Sequence, residues 1–249
     1  MNRGIYASAA SMMASQHRQR LIANNLSNSH TVGYQSQKAH LSPFDQALIH
    51  RLNNSGGREA LDVLNQGSRV SGVSTNRANG NLEATDRPTD LALDGPGYFQ
   101  VETPEGMQLT RAGQFSVDDA GFLASPEGYR LVIEDGTGQV GNEAFTVTGE
   151  GVVRQDDVVL GRVQIVQADP AASVRGPAGY FEPPDGEPVA DTMTEDVTVR
   201  QGWLERSNVD PVQEMTQLLA TLRHYGLSHS ALQIQDGSLD HLFRVLESF

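Results

Sequence analysis

DPVQEMTQLLATLRHYGLSHSALQIQDGSLDHLFRVLESF, residues 210–249, reads as one long helix. Asp210 is a good N-cap, Pro211 suits the first helical position, and Gln213 stands where a capping box closes. Leu218, Tyr225, Leu232, Leu239 and Leu246 then recur at a strict seven-residue interval. Met215, Leu222 and Phe243 lie on the adjoining row, which His229 and Asp236 interrupt. Gly226 and Gly237 weaken the helix by about 1 kcal/mol each. Continuous to Phe249, it would be about 58 Å long. A small β domain cannot cover such a helix, so its apolar seam calls for another helix.

The other end of the chain offers one. Between Arg3 and Leu26 there is no Pro, and no Gly after Gly4. Ile5, Met12 and Leu26 share a heptad row with Gln19; Ala9 and Ala23 share a second with Gln16. This narrow, partly polar stripe resembles a helix-packing seam more than a globular core face. Asn24-Asn25-Leu26-Ser27-Asn28-Ser29 ends the helix, because Asn and Ser side chains compete for backbone hydrogen bonds. Asn24, Asn25 and Asn28 have two readings: a frayed helix end, or an amide patch that locks neighbouring subunits. Gly33 is expected at positive φ, where the chain turns out of the helix, in a segment that is loose before assembly.

Residues 35–82 read as an irregular connector, with Asn53 to Gly57, Ser71-Gly72 and Asn79-Gly80 as breakers. A short amphipathic helix is expected at Phe44 to Leu52. Residues 83–206 read as β. Tyr98 to Val101, Gln114 to Val117, Tyr129 to Ile133 and Val158 to Val166 are short β-prone runs separated by turn signals. Asp169 to Pro188, rich in Pro, Gly and Ala, is expected as a surface loop. The resulting division is an N-terminal helix at 1–34, a connector at 35–82, a β domain at 83–206 and a C-terminal helix at 207–249. The fold class is α+β: terminal helices pairing into a coiled-coil-like layer, with a mainly antiparallel, sandwich- or barrel-like centre. The two helical seams can pair only with each other or with further copies, so the layout suggests an assembly subunit.

Composition narrows the function. With 18 Lys and Arg against 31 Asp and Glu, the net charge is −13. That field repels phosphate backbones and anionic membrane surfaces, which argues against nucleic-acid binding. The absence of Cys removes disulfides, thiolate catalysis and iron–sulfur clusters. No apolar run is long enough to span a membrane. The opening MNRGIYASAA has no apolar core of the kind a secretory signal needs, so export is expected to take another route. No catalytic, cofactor-binding or metal-binding set emerges. His224 and His229 lie five residues apart, off the i, i+4 spacing that puts two ligands on one helix face. His40, Asp45 and His50 share that weakness. Gly95-Pro96-Gly97 precedes a strand rather than a helix, so it reads as a turn and not a phosphate cradle. Asp118-Asp119 and Asp156-Asp157 are adjacent pairs that suit turns.

Three stretches resemble the bacterial flagellar rod and hook family. Ile22 to Asn28 with Thr31-Val32-Gly33-Tyr34 is similar to the family's N-terminal ANNLAN and TPGY wording, with Val32 in place of Pro and Ser27 in place of Ala. Arg87 to Val101, continued by Leu109 to Asp118, resembles its PLDLAIxGxGFFxV and YTRxGxFxxD blocks. Gly202 to Met215 resembles GxLExSNVDxxxEM; Gly226-Leu227-Ser228 departs from the pattern that follows. Length and wording look more like a rod than a hook protein, with proximal and distal rod types both open. The resemblance implies a structural, non-enzymatic subunit that polymerises around the export channel and transmits motor torque to the hook. It implies passage through the flagellar type III export apparatus and assembly in the basal body, outside the inner membrane, with copies of itself and neighbouring rod and hook proteins. Subunit contacts are expected at Ile5, Ala9, Met12, Asn24, Asn25, Leu26, Asn28, Gly33, Met215, Leu218, Leu222, Tyr225, Leu232, Leu239 and Leu246. A hook protein, a secreted oligomeric β-domain binding module and a hydrolase using scattered Asp and His are the competing readings.

Overall fold

A computed structural model describes residues 2–43, 47–52, 58–64, 68–141, 143–156, 158–167, 174–175, 180–182 and 197–247. Of residues 2–3, 43, 47–52, 58–64, 68, 174–175, 182, 239–243 and 245–247 it describes the backbone only. The fold is α+β, and the chain divides into two compact units. One comprises residues 1–27, 37–76 and 210–249; the other, residues 28–36 and 77–209.

The first, helical unit holds α1 (Asn2–Ser27) and α2 (Pro211–Glu247). The Asp210 carboxylate caps α2, accepting the Val212 and Gln213 amides at 2.9 and 3.2 Å. Gly226 and Gly237 lie inside the helix without ending it. The same unit carries two hairpin pairings. β1 (Gln37–Pro43) runs antiparallel to β4 (Ser68–Thr75), and β2 (Ala47–Leu52) to β3 (Arg58–Leu64). This corrects the irregular connector and the short helix expected at Phe44 to Leu52. A nine-residue helix is marginal alone, whereas cross-strand pairing satisfies the same backbone groups along the ribbon. Asp45 and the residues 53–57 of the expected breaker run lie outside the described residues.

The second, β unit is antiparallel throughout. β5 (Leu82–Ala84) pairs with Trp203–Glu205, and β6 (Leu91–Asp94) with Thr198–Gln201. β7 (Tyr98–Thr103) and β8 (Gly106–Thr110) form a hairpin at the centre of an eight-stranded sheet. A four-stranded sheet contains Val152–Gln155 and Val158–Val163. Phe99 and Val101 from the larger sheet and Val153 and Val163 from the smaller are fully buried in one shared core. Phe99 meets Phe115 edge to face at 5.6 Å. The sheets stay open, so the barrel alternative is dropped for the described residues. Within Asp169 to Pro188, Tyr180 and Phe181 are buried rather than on a surface loop, and Phe181 pairs with Leu109.

Candidate functional site

In the helical unit α1 and α2 run antiparallel. Gly4 lies against Gln235, the Ser228 hydroxyl donates to the Ser11 hydroxyl at 3.0 Å, and the Asn25 amide bonds the Glu214 carboxylate. These contacts step by seven and then fourteen residues, in opposite directions on the two helices. The face of α2 turned to α1 is therefore Glu214, Thr221, Ser228 and Gln235, alternating with Leu218, Tyr225 and Leu232. Thr221 is 2% exposed, and Leu218, Tyr225 and Leu232 are half-buried. On α1 the inward row is Gly4, Ser11, Arg18 and Asn25, flanked by Ser8, Ser15 and Ile22; Ser15, Ile22 and Asn25 are buried.

On α1 the inward row sits one residue away from Ile5, Met12 and Leu26; on α2 the apolar row Leu218, Tyr225 and Leu232 lies on the inward face, and only the second row, Met215 and Leu222, sits off it. Met215 is 50% and Leu222 47% exposed, so this second row does not pack on α1 of the same chain. Small and polar residues on α1 draw α2 in on the side where hydrogen bonds are available. Ile5, Ala9, Met12 and Leu26 are half-buried. Leu239 and Leu246 continue the helical spacing, with side chains outside the described residues. Asn24 is exposed and Asn28 half-buried. Asn25 differs: its amide donates to the Gln37 carbonyl and its carbonyl accepts the Gln37 amide, both at 2.9 Å. It is 1% exposed, and its hydrogen bonds hold β1 to α1 within the chain.

Gly33 belongs to the β unit. Its φ is +66°, the positive value expected. The segment is not loose, however: a Cβ on Gly33 would overlap the Arg111–Ala112 backbone, and its amide donates to the Glu205 carbonyl at 2.8 Å. Glu205 and Asn208 staple three stretches of chain together here. The Glu205 carboxylate accepts from Gly80 N–H at 2.8 Å and from Arg111 at 3.0 Å. Arg111 and Glu205 side chains are 2% and 3% exposed, and Arg111 also donates to the Gly95 carbonyl at 2.6 Å. The Asn208 side chain accepts the Ser36 amide and donates to the Ala78 carbonyl, both at 2.8 Å, while its own amide donates to the Tyr34 carbonyl at 3.2 Å. Tyr98, stacked beneath the Arg111 guanidinium at 5.4 Å, donates its hydroxyl to Gln35 at 3.0 Å.

The three stretches that carry the family resemblance thus meet physically: Gly33 and Tyr34, Tyr98 and Arg111, Glu205 and Asn208. Sequence reasoning missed Arg111, Glu205 and Asn208 as a working set. The signal was their position inside those three blocks. The arrangement fastens backbone; it places no nucleophile beside a base. Among the described residues no three His, Cys, Asp or Glu are grouped to hold a metal ion, and no helix is long and apolar enough to cross a membrane.

Comparison with known proteins agrees with this grouping. Residues 5–35 match the family described as flagella basal body rod protein. Residues 92–155 match the flagellar hook protein FlgE/F/G D1 domain, and residues 200–244 the C-terminal part of the flagellar basal body rod FlgEFG proteins. The flagellar basal-body rod protein FlgF of Mesorhizobium japonicum is 30% identical over 254 residues, spanning 100% of this chain and 99% of its own. FlgF of Rhizobium meliloti is 29% identical over 99% of this chain and 98% of its own. FlgG of Buchnera aphidicola subsp. Schizaphis graminum is 27% identical over 96% and 97%. The chain belongs to the flagellar basal-body rod proteins and is a structural subunit of the rod in the flagellar basal body.

Proposed function

We propose that the helical units of neighbouring copies pack side by side, in a coiled-coil-like layer around the export channel, and that this layer carries motor torque towards the hook. One observation carries the reading. Val212, Met215, Leu219 and Leu222 recur along α2 at intervals of three and four residues and are 47–74% exposed. Tyr6 and Met13, seven residues apart on α1, are 70% and 71% exposed. An amphipathic helix with a second apolar row open to water lacks a partner for that row. In this reading Met215 and Leu222 are contact residues between copies, and Leu239 and Leu246 extend the contact. Ile5, Ala9, Met12, Leu26, Asn24 and Asn28 border it. Passage through the type III apparatus and contact with other rod and hook proteins follow from the same assembly. The glycine-centred staple of the β unit would give every copy the same rigid exit for its chain.

Leu222→Asp tests this. The side chain is already half in water, so the purified protein should unfold within about 0.5 kcal/mol of wild type. Cells carrying only the variant should lack assembled rods and fail to swim. Swimming cells with normal rods would exclude the row as an interface.

A further inference from the structure

Asn79-Gly80 is the one Asn-Gly step in the sequence. Such a step converts itself without an enzyme. The Gly80 backbone nitrogen gives up its proton and attacks the Asn79 side-chain carbon Cγ. The Cγ–Nδ2 bond breaks, ammonia leaves with that proton, and a five-membered imide remains. Water then opens the imide at either carbonyl, giving aspartate or isoaspartate. Glycine favours the reaction because no side chain shields its nitrogen and its backbone is the least restrained. Asn79 is exposed, so solvent reaches its amide. The attacking nitrogen, however, is held. Gly80 N–H donates to the buried Glu205 carboxylate at 2.8 Å, and Arg111 fixes that carboxylate in place at 3.0 Å. A Cβ on Gly80 would overlap the Arg206 carbonyl oxygen, so the Gly80 backbone lies hard against residue 206. Its neighbours are fastened too. The Ala78 carbonyl accepts from the Asn208 side chain at 2.8 Å, and the Asn81 carbonyl accepts the Arg206 amide at 2.9 Å.

We propose that Asn79-Gly80 is a spontaneous deamidation site that Glu205 keeps shut in the folded chain. Two physical effects act together. A carboxylate at hydrogen-bond distance opposes loss of the Gly80 proton, since the amide anion so formed would stand beside a negative charge. Ring closure must also swing the Gly80 nitrogen onto Cγ, and the clamp on residues 78, 80 and 81 resists that rotation. In the unfolded chain both restraints vanish, and the step proceeds as in a free peptide. The guard is therefore as good as the staple: each local opening that frees Gly80 N–H from Glu205 exposes the step to conversion.

Peptide mass spectrometry of the purified full-length chain tests this. Samples age at mildly alkaline pH, folded in buffer or unfolded in urea. The peptide carrying Asn79 is then scored for exchange of its side-chain NH2 for OH and for isoaspartate. Conversion in the folded chain should be slower than in the unfolded chain by at least about tenfold, as a hydrogen bond to a charged group supports. Glu205→Gln, shown folded by its thermal transition, should convert several-fold faster than folded wild type. Should that variant not fold, the wild-type chain decides alone. In sub-denaturing urea, conversion at Asn79 and hydrogen exchange at the Gly80 amide should accelerate together and in the same proportion. Equal conversion in folded and unfolded wild type would overturn the guard. So would a folded Glu205→Gln chain that converts no faster than wild type, or conversion at Asn79 while the Gly80 amide stays protected.

Discussion

The β unit and the helical unit bury different chemistry. The β unit hides Leu91, Phe99, Val101, Phe115 and Val153 almost completely, and seals a deep ion pair, Arg111–Glu205, with backbone partners on both sides. The helical unit buries Ser15, Asn25, Glu214 and Thr221 between its two helices while Tyr6, Met13, Val212 and Ile234 stand 70–74% exposed. One region is filled with large apolar side chains. The other buries polar residues in its internal seam and leaves a second apolar row open to water. Apolar packing is therefore concentrated in the β unit, and exposed apolar rows on the helices.

The largest break in that contrast should come from Arg111→Met. It strands the Glu205 carboxylate in the β unit without its cation, which costs about 3–5 kcal/mol. Urea unfolding should show that loss, and amide exchange at Gly33 and Gly80 should accelerate as the staple opens. Unchanged protection at both glycines would mean the ion pair does not hold these segments.

A smaller effect is expected from Gly33→Val. A left-handed backbone costs an L-residue about 1–2 kcal/mol, and the added Cβ meets the Arg111–Ala112 backbone. The purified protein itself should be destabilised by about 2–3 kcal/mol. Thermal unfolding at the wild-type temperature would show that the segment is loose after all.

The smallest change should sharpen the helical side of the comparison. Burial holds the Glu214 carboxyl above its ordinary value of 4.5 in the folded chain. The folded state then binds the proton more tightly than the unfolded state. Glu214 accordingly supports stability below pH 4.5, and that support is lost as pH rises through the higher folded value. Glu214→Gln removes the titration, so above this window the variant should melt higher than wild type, by up to about 3 °C. Thermal scans across pH would check it; parallel curves for the two proteins would exclude a titrating Glu214.

Much of this architecture is legible in residue order. Asp210-Pro211 announces the start of α2, because a carboxylate cap and a proline without an amide suit that one position. The turn signals after Val101 and Val117 separate strands as expected. The ribbon between Gln37 and Thr75 was not legible. β4 carries Gly72 in its middle, and each residue of β1 depends on a partner at least 25 residues further along the chain. The staple was legible only as three separate motifs, because Arg111, Glu205 and Asn208 are brought together by the β unit and by nothing local.

Sequence by itself determined that two terminal helices exist, that each carries seven-residue rows, and that Gly33 requires a backbone few other residues tolerate. It could not decide which row faces inward. Glu214–Thr221–Ser228 and Met215–Leu222 keep the same spacing and lie only about 100° apart around the helix. Periodicity is identical for both, and hydropathy favours Met215–Leu222, the row that does not face α1. Only the tertiary structure made the choice. The residues that α1 presents, Gly4, Ser11 and Asn25, are small or hydrogen-bonding, so they accept the polar row beside Leu218 and Tyr225 and leave Met215 and Leu222 outside.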